Sequence, residues 1–167
     1  MKKIVIIDGH PKENSFSRAI AESYLKGALT AGHESTLLRL NKLDFDLNLT
    51  GDRSLSSAVE MDVKTSQEAI KEADHLVFIY PIWWGTYPAL LKGFIDRVFL
   101  SGFAYKHDKT TKKLIQLLKG KSARIIVTMD TPKWFYALFY KNLGSRALKQ
   151  NVLGYCGISK VKTTSFS

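Results

Sequence analysis

Two stretches of the chain combine residue types that could bind a flat, anionic ligand. Residues 80–88 read YPIWWGTYP, so four large aromatic rings, one Gly and two Pro residues share nine positions. Pro and Gly at this density predict a loop. Residues 8–20 read DGHPKENSFSRAI and place small polar side chains where a helix would begin, which is the pattern of an anion site. We therefore expect a planar ring against Trp83 and Trp84, with its charged group at the helix start.

Each stretch also has an ordinary structural interpretation. Ser15 or Ser17 could simply cap a helix, as such residues do in helices of every kind. The paired Trp residues could pack in the core or at a subunit interface. Neither G-x-x-x-x-G-K-[ST] nor G-x-G-x-x-G follows the first apolar run, which excludes a nucleotide P-loop and gives no support to a Rossmann dinucleotide site.

Short, continuous apolar runs alternate with stretches of helical periodicity. Strands buried on both faces are predicted at residues 4–7, 35–40, 75–79, 123–128 and 160–166. Helices are predicted at residues 17–31, 65–73 and 145–155, and from Pro88 onward. This alternation predicts an α/β fold, a doubly wound five-stranded parallel sheet in the flavodoxin-like order 2-1-3-4-5 with helices on both faces, in three layers.

The predicted sheet brings three loops to one rim. In doubly wound sheets ligands bind beyond the carboxyl ends of the strands. The two stretches described above follow the first and third strands, and a third loop, MDTPKWFY at residues 129–136, follows the fourth. Their convergence favours a single ligand site. The sequence stops almost at the end of the fifth strand, so we expect that edge to be covered by something else, or the natural chain to run longer.

Composition predicts one cytoplasmic domain over residues 1–167. The chain is 45% hydrophobic and 24% charged, which is ordinary globular composition. Apolar runs are too short for a bilayer span or a secretory signal, so no membrane insertion is expected. The one cysteine, Cys156, excludes an internal disulfide and a metal site of several thiolates, and we expect no metal and a buried, inert thiol.

The net charge of +10 could indicate nucleic acid, anionic lipid or anionic small ligands. Its densest stretch, residues 105–121, is rich in lysine and mostly lacks arginine. We predict a loop leading into a helix there, so the stretch indicates a solvated surface. Since neither a helix-turn-helix nor a zinc-finger pattern accompanies it, no nucleic-acid binding is expected.

Three segments carry a family resemblance: IVIIDGHPKENSFS, YPIWWGTYPALLKGFIDRVF and GFAY. They resemble the flavin-dependent NAD(P)H:quinone oxidoreductases of flavodoxin-like fold, and the likeness covers nearly the whole chain. That family includes dimeric quinone reductases, bacterial modulators of drug activity and ancillary subunits of potassium-efflux systems.

The resemblance implies a flavin site on the predicted rim. The loop after the first strand would hold the flavin phosphate region through His10, Asn14, Ser15, Phe16 and Ser17. The loop after the third would contact the isoalloxazine ring through Pro81, Ile82, Trp83, Trp84 and Gly85. The loop after the fourth would complete the site with Thr128, Met129, Asp130, Thr131 and Tyr136, with Tyr136 as the catalytic group that stabilises charge on the reduced flavin.

Two positions depart from the family pattern. Many relatives carry Thr-Gly-Gly after the fourth strand, whereas this chain has Asp130 and Thr131 there. A histidine that assists proton transfer in the larger quinone reductases is replaced by Asn142. Neither change forbids a flavin, but both bear on the proton-handling groups and the substrate.

The implied function is ping-pong hydride transfer from NAD(P)H to a quinone or similar flat acceptor, with FMN or, alternatively, FAD as cofactor. The adenosine part of FAD would lie on loops such as residues 44–57. A homodimer is expected, with the broad apolar face of the helix after Pro88 as its interface. The alternatives are a flavin-binding ancillary subunit of a potassium-efflux transporter and a flavodoxin-type electron carrier.

Overall fold

The computed structural model describes residues 1–49 and 60–167. Five parallel strands form its main sheet: β1 Lys3–Asp8, β2 Glu34–Arg39, β3 His75–Pro81, β6 Ser122–Thr128 and β7 Lys160–Phe166. The order β2-β1-β3-β6-β7 is that of the predicted 2-1-3-4-5 sheet. The predicted α/β fold is therefore confirmed.

The helical segments connect these strands. They are α1 Phe16–Thr30, a 3-10 turn Leu40–Lys42, α2 Met61–Glu72, α3 Ala89–Val98, α4 Lys133–Phe139, α5 Leu143–Arg146 and a π-helical segment Ala147–Gly154. Apolar side chains cover both faces of the sheet, because successive residues of a strand point to opposite sides. Ile6 and Val77 pack under α1, whereas Ile7 and Phe78 pack on the opposite face with Leu91 of α3. The result is the expected three layers.

A small hairpin corrects one expectation about the lysine-rich stretch. Residues 105–121 were predicted to be a loop leading into a helix, but β4 Tyr105–His107 pairs with β5 Leu114–Gln116 in an antiparallel hairpin. Asp108 closes the turn by accepting hydrogen bonds from the N–H groups of Thr110 and Thr111, at 3.0 Å and 2.7 Å. Side-chain hydrogen bonds of this kind stabilise a turn between two strands, in place of the predicted loop and helix.

The helix that follows Pro88 is buried against its own chain. Leu91, Phe94 and Val98 are fully buried and Ile95 is nearly so. Lys92 and Asp96, four residues apart, form an ion pair on the outer side. The broad apolar stripe of α3 is thus used within the protein, and it does not offer the subunit interface that the sequence predicted.

The lone cysteine lies in the same core. Cys156 is buried, and burial raises the pKa of its thiol to about 12, which favours the protonated, unreactive form. Among the described residues, no helix is both long and apolar enough to span a bilayer.

Candidate functional site

A cavity of about 450 Å³ lies at the carboxyl ends of the main strands. Its wall is lined by His10, Lys12, Phe16, Ser17, Pro81, Ile82, Trp83, Thr128, Met129, Asp130, Phe166 and Ser167. Hydrogen bonds tie the loops to each other: the Ile82 N–H donates to the Thr128 carbonyl at 2.8 Å, and the Met129 N–H donates to the Phe166 carbonyl at 2.9 Å. The cavity therefore lies where the topology places ligands in such sheets.

The start of α1 forms one side of the cavity. Ser15 is the N-cap, and its hydroxyl accepts a hydrogen bond from the Arg18 N–H at 3.1 Å. The Ser17 hydroxyl shares a hydrogen bond of 3.0 Å with Thr128. Each hydroxyl has one protein partner, and the first N–H groups of the helix, at Phe16 and Ser17, are available to an anion beside them.

A buried ion pair lies beneath this loop. Asp8, fully buried at the end of β1, pairs with the guanidinium of buried Arg18, and the same guanidinium donates to the Asn41 side chain at 2.9 Å. The other Asp8 oxygen accepts a hydrogen bond from the His10 N–H at 3.1 Å. The Arg18 charge is thereby compensated by Asp8 below the loop, and Arg18 does not line the cavity. The exposed Lys12 supplies positive charge to the cavity wall.

His10 connects the first loop to the aromatic loop. Its Nδ1 accepts a hydrogen bond from the Lys12 N–H at 3.0 Å, so in the neutral ring Nε2 carries the proton and is a donor. Burial lowers the pKa of His10; Asp8 opposes this shift, and Lys12 and Arg18 reinforce it. The ring meets Trp83 edge to face, with centroids 5.5 Å apart. His10 is thus a neutral hydrogen-bond donor at neutral pH.

The aromatic loop is a tight turn. Trp83 and Thr86 exchange backbone hydrogen bonds of 2.8 Å and 3.0 Å, and both central residues have positive φ, 50° at Trp84 and 79° at Gly85, as in a type I′ turn. Positive φ suits Gly85 but is rare for a bulky residue such as Trp84. The turn separates the two indoles: Trp83 lines the cavity, whereas Trp84 is 103% exposed and stands outside it.

Tyr136 supports this turn from behind. It is buried, its hydroxyl donates to the Gly85 carbonyl at 3.1 Å, and it accepts from the Gly144 N–H at 2.9 Å. Burial raises the pKa of Tyr136, which keeps the phenol protonated. A side chain at Gly144 would come within 2.8 Å of the Gly85 carbonyl oxygen, so the contact between the turn and α5 depends on glycine there.

Most of the predicted site residues come together, but not all. Nine of them line the cavity: His10, Phe16, Ser17, Pro81, Ile82, Trp83, Thr128, Met129 and Asp130. The remaining predicted residues lie outside its wall: Asn14, Ser15, Trp84, Gly85, Thr131 and Tyr136. Asn142, at the position of the missing histidine, is also outside the wall and precedes α5. Flavin contacts of all these residues stay predictions.

Three lining residues were missed: Lys12, Phe166 and Ser167. Lys12 lies inside the loop identified from the sequence, and Phe166 ends the fifth strand, so the rule that ligands meet carboxyl strand ends could have found both. Phe166 packs edge to face on Phe16 and lies 5.8 Å from the Lys133 ammonium. Of residues 44–57, expected to contact the adenosine of FAD, positions 50–57 lie outside the described residues.

Comparison with known proteins places this geometry in a family. The model of the family described as "Flavodoxin-like fold" matches residues 2–167. A curated Haemophilus influenzae protein, "Uncharacterized NAD(P)H oxidoreductase", is 30% identical over 97% of this chain and 82% of its own length. The "FMN-dependent NADH:quinone oxidoreductase" of Caldicellulosiruptor bescii is 26% identical over 98% of this chain and 85% of its own length.

A solved structure shares this fold. Smu.1420 from Streptococcus mutans superposes with a TM-score of 0.82 at 38% identity, covering 97% of this chain and 85% of that one. Three further curated relatives are matched over only 56% to 60% of their own length. The resemblance inferred from the sequence is confirmed: the chain belongs to the family of flavodoxin-like proteins that includes the NAD(P)H:quinone oxidoreductases.

Proposed function

We propose that the protein is a flavin-dependent NAD(P)H oxidoreductase that passes hydride to a quinone or a similar flat acceptor. One observation carries the proposal: a single cavity joins an indole wall, at Trp83, to a positively charged helix start, at Lys12 and Phe16. A planar ring with an anionic tail matches that combination. The names of the relatives, NAD(P)H oxidoreductase and FMN-dependent NADH:quinone oxidoreductase, support the same activity.

The residues present fit FMN. Its phosphate would bind the N–H groups of Phe16 and Ser17, the Lys12 ammonium and the Nε2–H of His10, which together supply three kinds of donor. Its ring would lie against Trp83 and Met129, where the wall is apolar. We prefer FMN because an FMN-dependent relative supports it, and FAD stays the alternative.

A bound flavin would supply the hydride chemistry, and the protein would supply position and electrostatics. Tyr136 was predicted to touch the reduced ring. Its contacts favour a positioning role instead: both of its hydrogen bonds go to backbone, and they hold the Trp83 turn against α5. Within that turn, the Trp83 N–H donates to the Thr86 carbonyl, so it is not available to a polar edge of the ring.

Asp130 is a position in the cavity wall at which this chain departs from the family pattern. It replaces a glycine of the family pattern, is exposed and lines the wall. A carboxylate there would repel an acceptor whose reacting ring is anionic and favour a neutral one such as a benzoquinone, because like charges at a binding site lower affinity, whereas the charge of the nicotinamide donor lies on its phosphates, away from its reacting ring. We propose that donor and acceptor occupy the same open side of the cavity in turn, which is the ping-pong order.

Steady-state oxidation of NADH or NADPH with a benzoquinone, without any partner reductase, tests the function. The proposal predicts turnover that depends on added FMN, with parallel lines in double-reciprocal plots. FMN binding without turnover would exclude the proposed activity, and it would favour an electron carrier or an ancillary subunit. Convergent lines would reject only the ping-pong order.

We further propose a homodimer formed through α4 and the Trp83 turn. Trp134 and Leu138 are each 66% exposed and lie four residues apart on α4, and Phe139, Leu143 and Trp84 are exposed as well. The Tyr136 hydroxyl ties α4 to the turn that carries Trp84. A cluster of large exposed apolar side chains of this kind is typical of an association surface. The test is mass in solution: Leu138→Glu should give a monomer, and a wild-type monomer with full activity would refute the dimer.

Cytoplasmic location and a single domain over residues 1–167 stay predictions from the sequence. The charge of +10 agrees with attraction of an anionic nicotinamide cofactor, without choosing between NADH and NADPH.

A further inference from the structure

The β4–β5 hairpin packs against the rest of the chain with one face. Because successive residues of a strand point to opposite sides, Tyr105, His107 and Gln116 share this inner face. Tyr105 meets Tyr155 edge to face, with ring centroids 5.0 Å apart, and the Gln116 side chain donates to the Gly154 carbonyl at 2.9 Å. The inner face is therefore held against the π-helical segment and the turn after it.

The opposite face of the hairpin combines cations with apolar side chains. Lys106 and Ile115 are partners in the register, so they lie side by side on this outer face, and Lys113 alternates onto it. The Leu117 N–H donates to the Ala104 carbonyl at 3.0 Å, which extends the same pairing and places Leu117 beyond Ile115. Both lysines are exposed, and Leu117 is 36% exposed. The outer face thus consists of Lys106, Lys113, Ile115 and Leu117.

The turn of the hairpin adds further positive charge. Lys109 and Lys112 are exposed there, beside the two lysines of the outer face. With the residues that the structure describes, none of the four forms an ion pair. Asp108 is the one carboxylate in residues 105–116, and it accepts hydrogen bonds from backbone N–H groups of the turn. Four lysines and one aspartate leave the hairpin with a net charge of +3.

A face of this composition matches the surface of an anionic bilayer. Lipid phosphates lie in a layer above the acyl chains, so a face that mixes cations with apolar side chains can contact both. Lysine suits this position, because its flexible stem can lie on apolar surface while the ammonium reaches a phosphate. Basic clusters that bind anionic lipids hold about four to eight cations, and the four lysines of the hairpin reach that number.

We propose that the β4–β5 hairpin binds the surface of anionic lipid bilayers, with its four lysines on the headgroup phosphates and with Ile115 and Leu117 at the level of the headgroups. The protein lies on the bilayer, and the hairpin does not cross it. None of these residues lines the candidate flavin cavity, so the inference does not depend on the proposed function.

Three other occupants fit less well. Single-stranded nucleic acid binds through aromatic stacking as well as charge, and the aromatic ring of Tyr105 is packed inward on Tyr155. An acidic polypeptide tail would match the lysines, but it would leave the exposed surface of Ile115 and Leu117 in water. A second copy of the chain carries a net charge of +10, which opposes association through a positive face. All three become outcomes of the experiment.

The experiment measures co-sedimentation of the protein with phosphatidylcholine vesicles that contain phosphatidylglycerol. Vesicles of phosphatidylcholine alone are the lipid control. The charge variant is Lys106→Gln with Lys113→Gln, on the outer face. Its matched control is Lys26→Gln with Lys64→Gln, which makes the same charge change at exposed positions on α1 and α2. A second variant, Leu117→Ser, tests the apolar contribution.

The proposal expects binding to the anionic vesicles that weakens at high salt, and no binding to phosphatidylcholine alone. Loss of the two outer lysines should weaken binding by about 25-fold, or roughly fivefold for each lysine, and Leu117→Ser by about fivefold. The matched control should bind within about twofold of wild type. Hydrogen exchange should show added protection at Leu114–Gln116 on vesicles. If the charge variant does not fold, judged by circular dichroism, Lys109→Gln with Lys112→Gln replaces it and should show the same loss.

Several results would overturn the proposal. These are no binding to anionic vesicles, equal binding to phosphatidylcholine alone, and equal weakening by the Lys26 and Lys64 pair. Polyglutamate or a DNA oligonucleotide is added at the same concentration of negative charge as the vesicles. Displacement of the protein by either would assign the face to an acidic polypeptide or to nucleic acid instead. A change in the mass of the vesicle-free protein in the charge variant would assign it to a second copy.

Discussion

The two sides of the candidate cavity are held by different forces. Beneath the β1–α1 loop, a buried ion pair between Asp8 and Arg18 fixes the loop from below. The turn at Trp83 is instead held by backbone hydrogen bonds and by one phenol, Tyr136. The comparison indicates that the β1–α1 loop, where the ligand phosphate would bind, is held by buried charges. The Trp83 turn, where the flavin ring would bind, is held by neutral hydrogen bonds.

The difference also explains which polar groups remain for a ligand. At the β1–α1 loop, Arg18 is paired with Asp8, and the exposed Lys12 is available to bind an anion. At the Trp83 turn, the Tyr136 hydroxyl is hydrogen-bonded to backbone groups, and Trp83 is available to stack on a ring. In each case the residue that lines the cavity, Lys12 or Trp83, is different from the residue that holds the loop, Arg18 or Tyr136.

The largest expected effect comes from breaking the buried pair. Asp8→Asn leaves the Arg18 charge buried and uncompensated, which should lower the free energy of unfolding by about 3–5 kcal/mol. Urea denaturation measures this loss. Asp8→Asn combined with Arg18→Met removes both charges and should recover much of the stability. A loss below about 1 kcal/mol in the single variant would mean that charge does not hold this side.

The next effect should come from the phenol on the other side. Tyr136→Phe leaves the Gly144 N–H buried without a partner, which should cost about 1–3 kcal/mol and loosen the Trp83 turn. Tyr140→Phe is the matched control, since the Tyr140 side chain is exposed and its hydroxyl makes no hydrogen bond to the described residues. Thermal unfolding compares the two. Equal losses would deny Tyr136 a special positioning role.

A third prediction distinguishes binding of the FMN phosphate from binding of the flavin ring. Lys12→Ala should weaken FMN binding by about tenfold at low salt, because one charge-assisted contact to the phosphate is lost. Riboflavin has the same ring and no phosphate, so its affinity should not change. Lys106→Ala, an exposed lysine on β4, is the control. If both ligands lose affinity equally, Lys12 acts on the ring side or on the loop itself.

The smallest effect should be a pH dependence of stability. Burial is the main cause that lowers the pKa of His10 at the site and of His75 at the start of β3, from the ordinary value of 6.5. The unfolded chain therefore binds more protons below pH 6.5, and the free energy of unfolding should fall as the pH drops through that value. His75→Gln should flatten this decline. An unchanged profile would place the titration elsewhere.

Much of the fold could be predicted because the central strands are short, continuous apolar runs in the sequence. The run of residues 4–7 is apolar on both faces and is a central strand with neighbours on both sides. The sequence signal for β7 is weaker, since Lys162 and Thr164, on the side of the sheet that faces α1, make the strand polar. The hairpin of β4 and β5 was missed because strands of three residues carry no usable periodicity.

The site could be predicted at the level of loops but not of orientations. Topology brings residues 8–20, 80–88 and 129–136 to one rim, and the structure places them there. Whether Trp83 or Trp84 faces the cavity depends on a turn with two positive φ angles, which the pair Trp-Gly does not indicate as clearly as Asn-Gly would. The burial of Arg18 depends on Asp8 and Asn41, and the pair Arg18 and Asn41 is 23 residues apart.

The visible absorption spectrum of the purified protein, with chromatography of any released cofactor and titration of added FMN, tests the central claim most directly. We predict a flavin spectrum or saturable FMN binding, with Trp83→Leu weakening the binding more than Trp84→Leu. A colourless protein that binds neither FMN nor FAD would contradict the claim that this cavity is a flavin site.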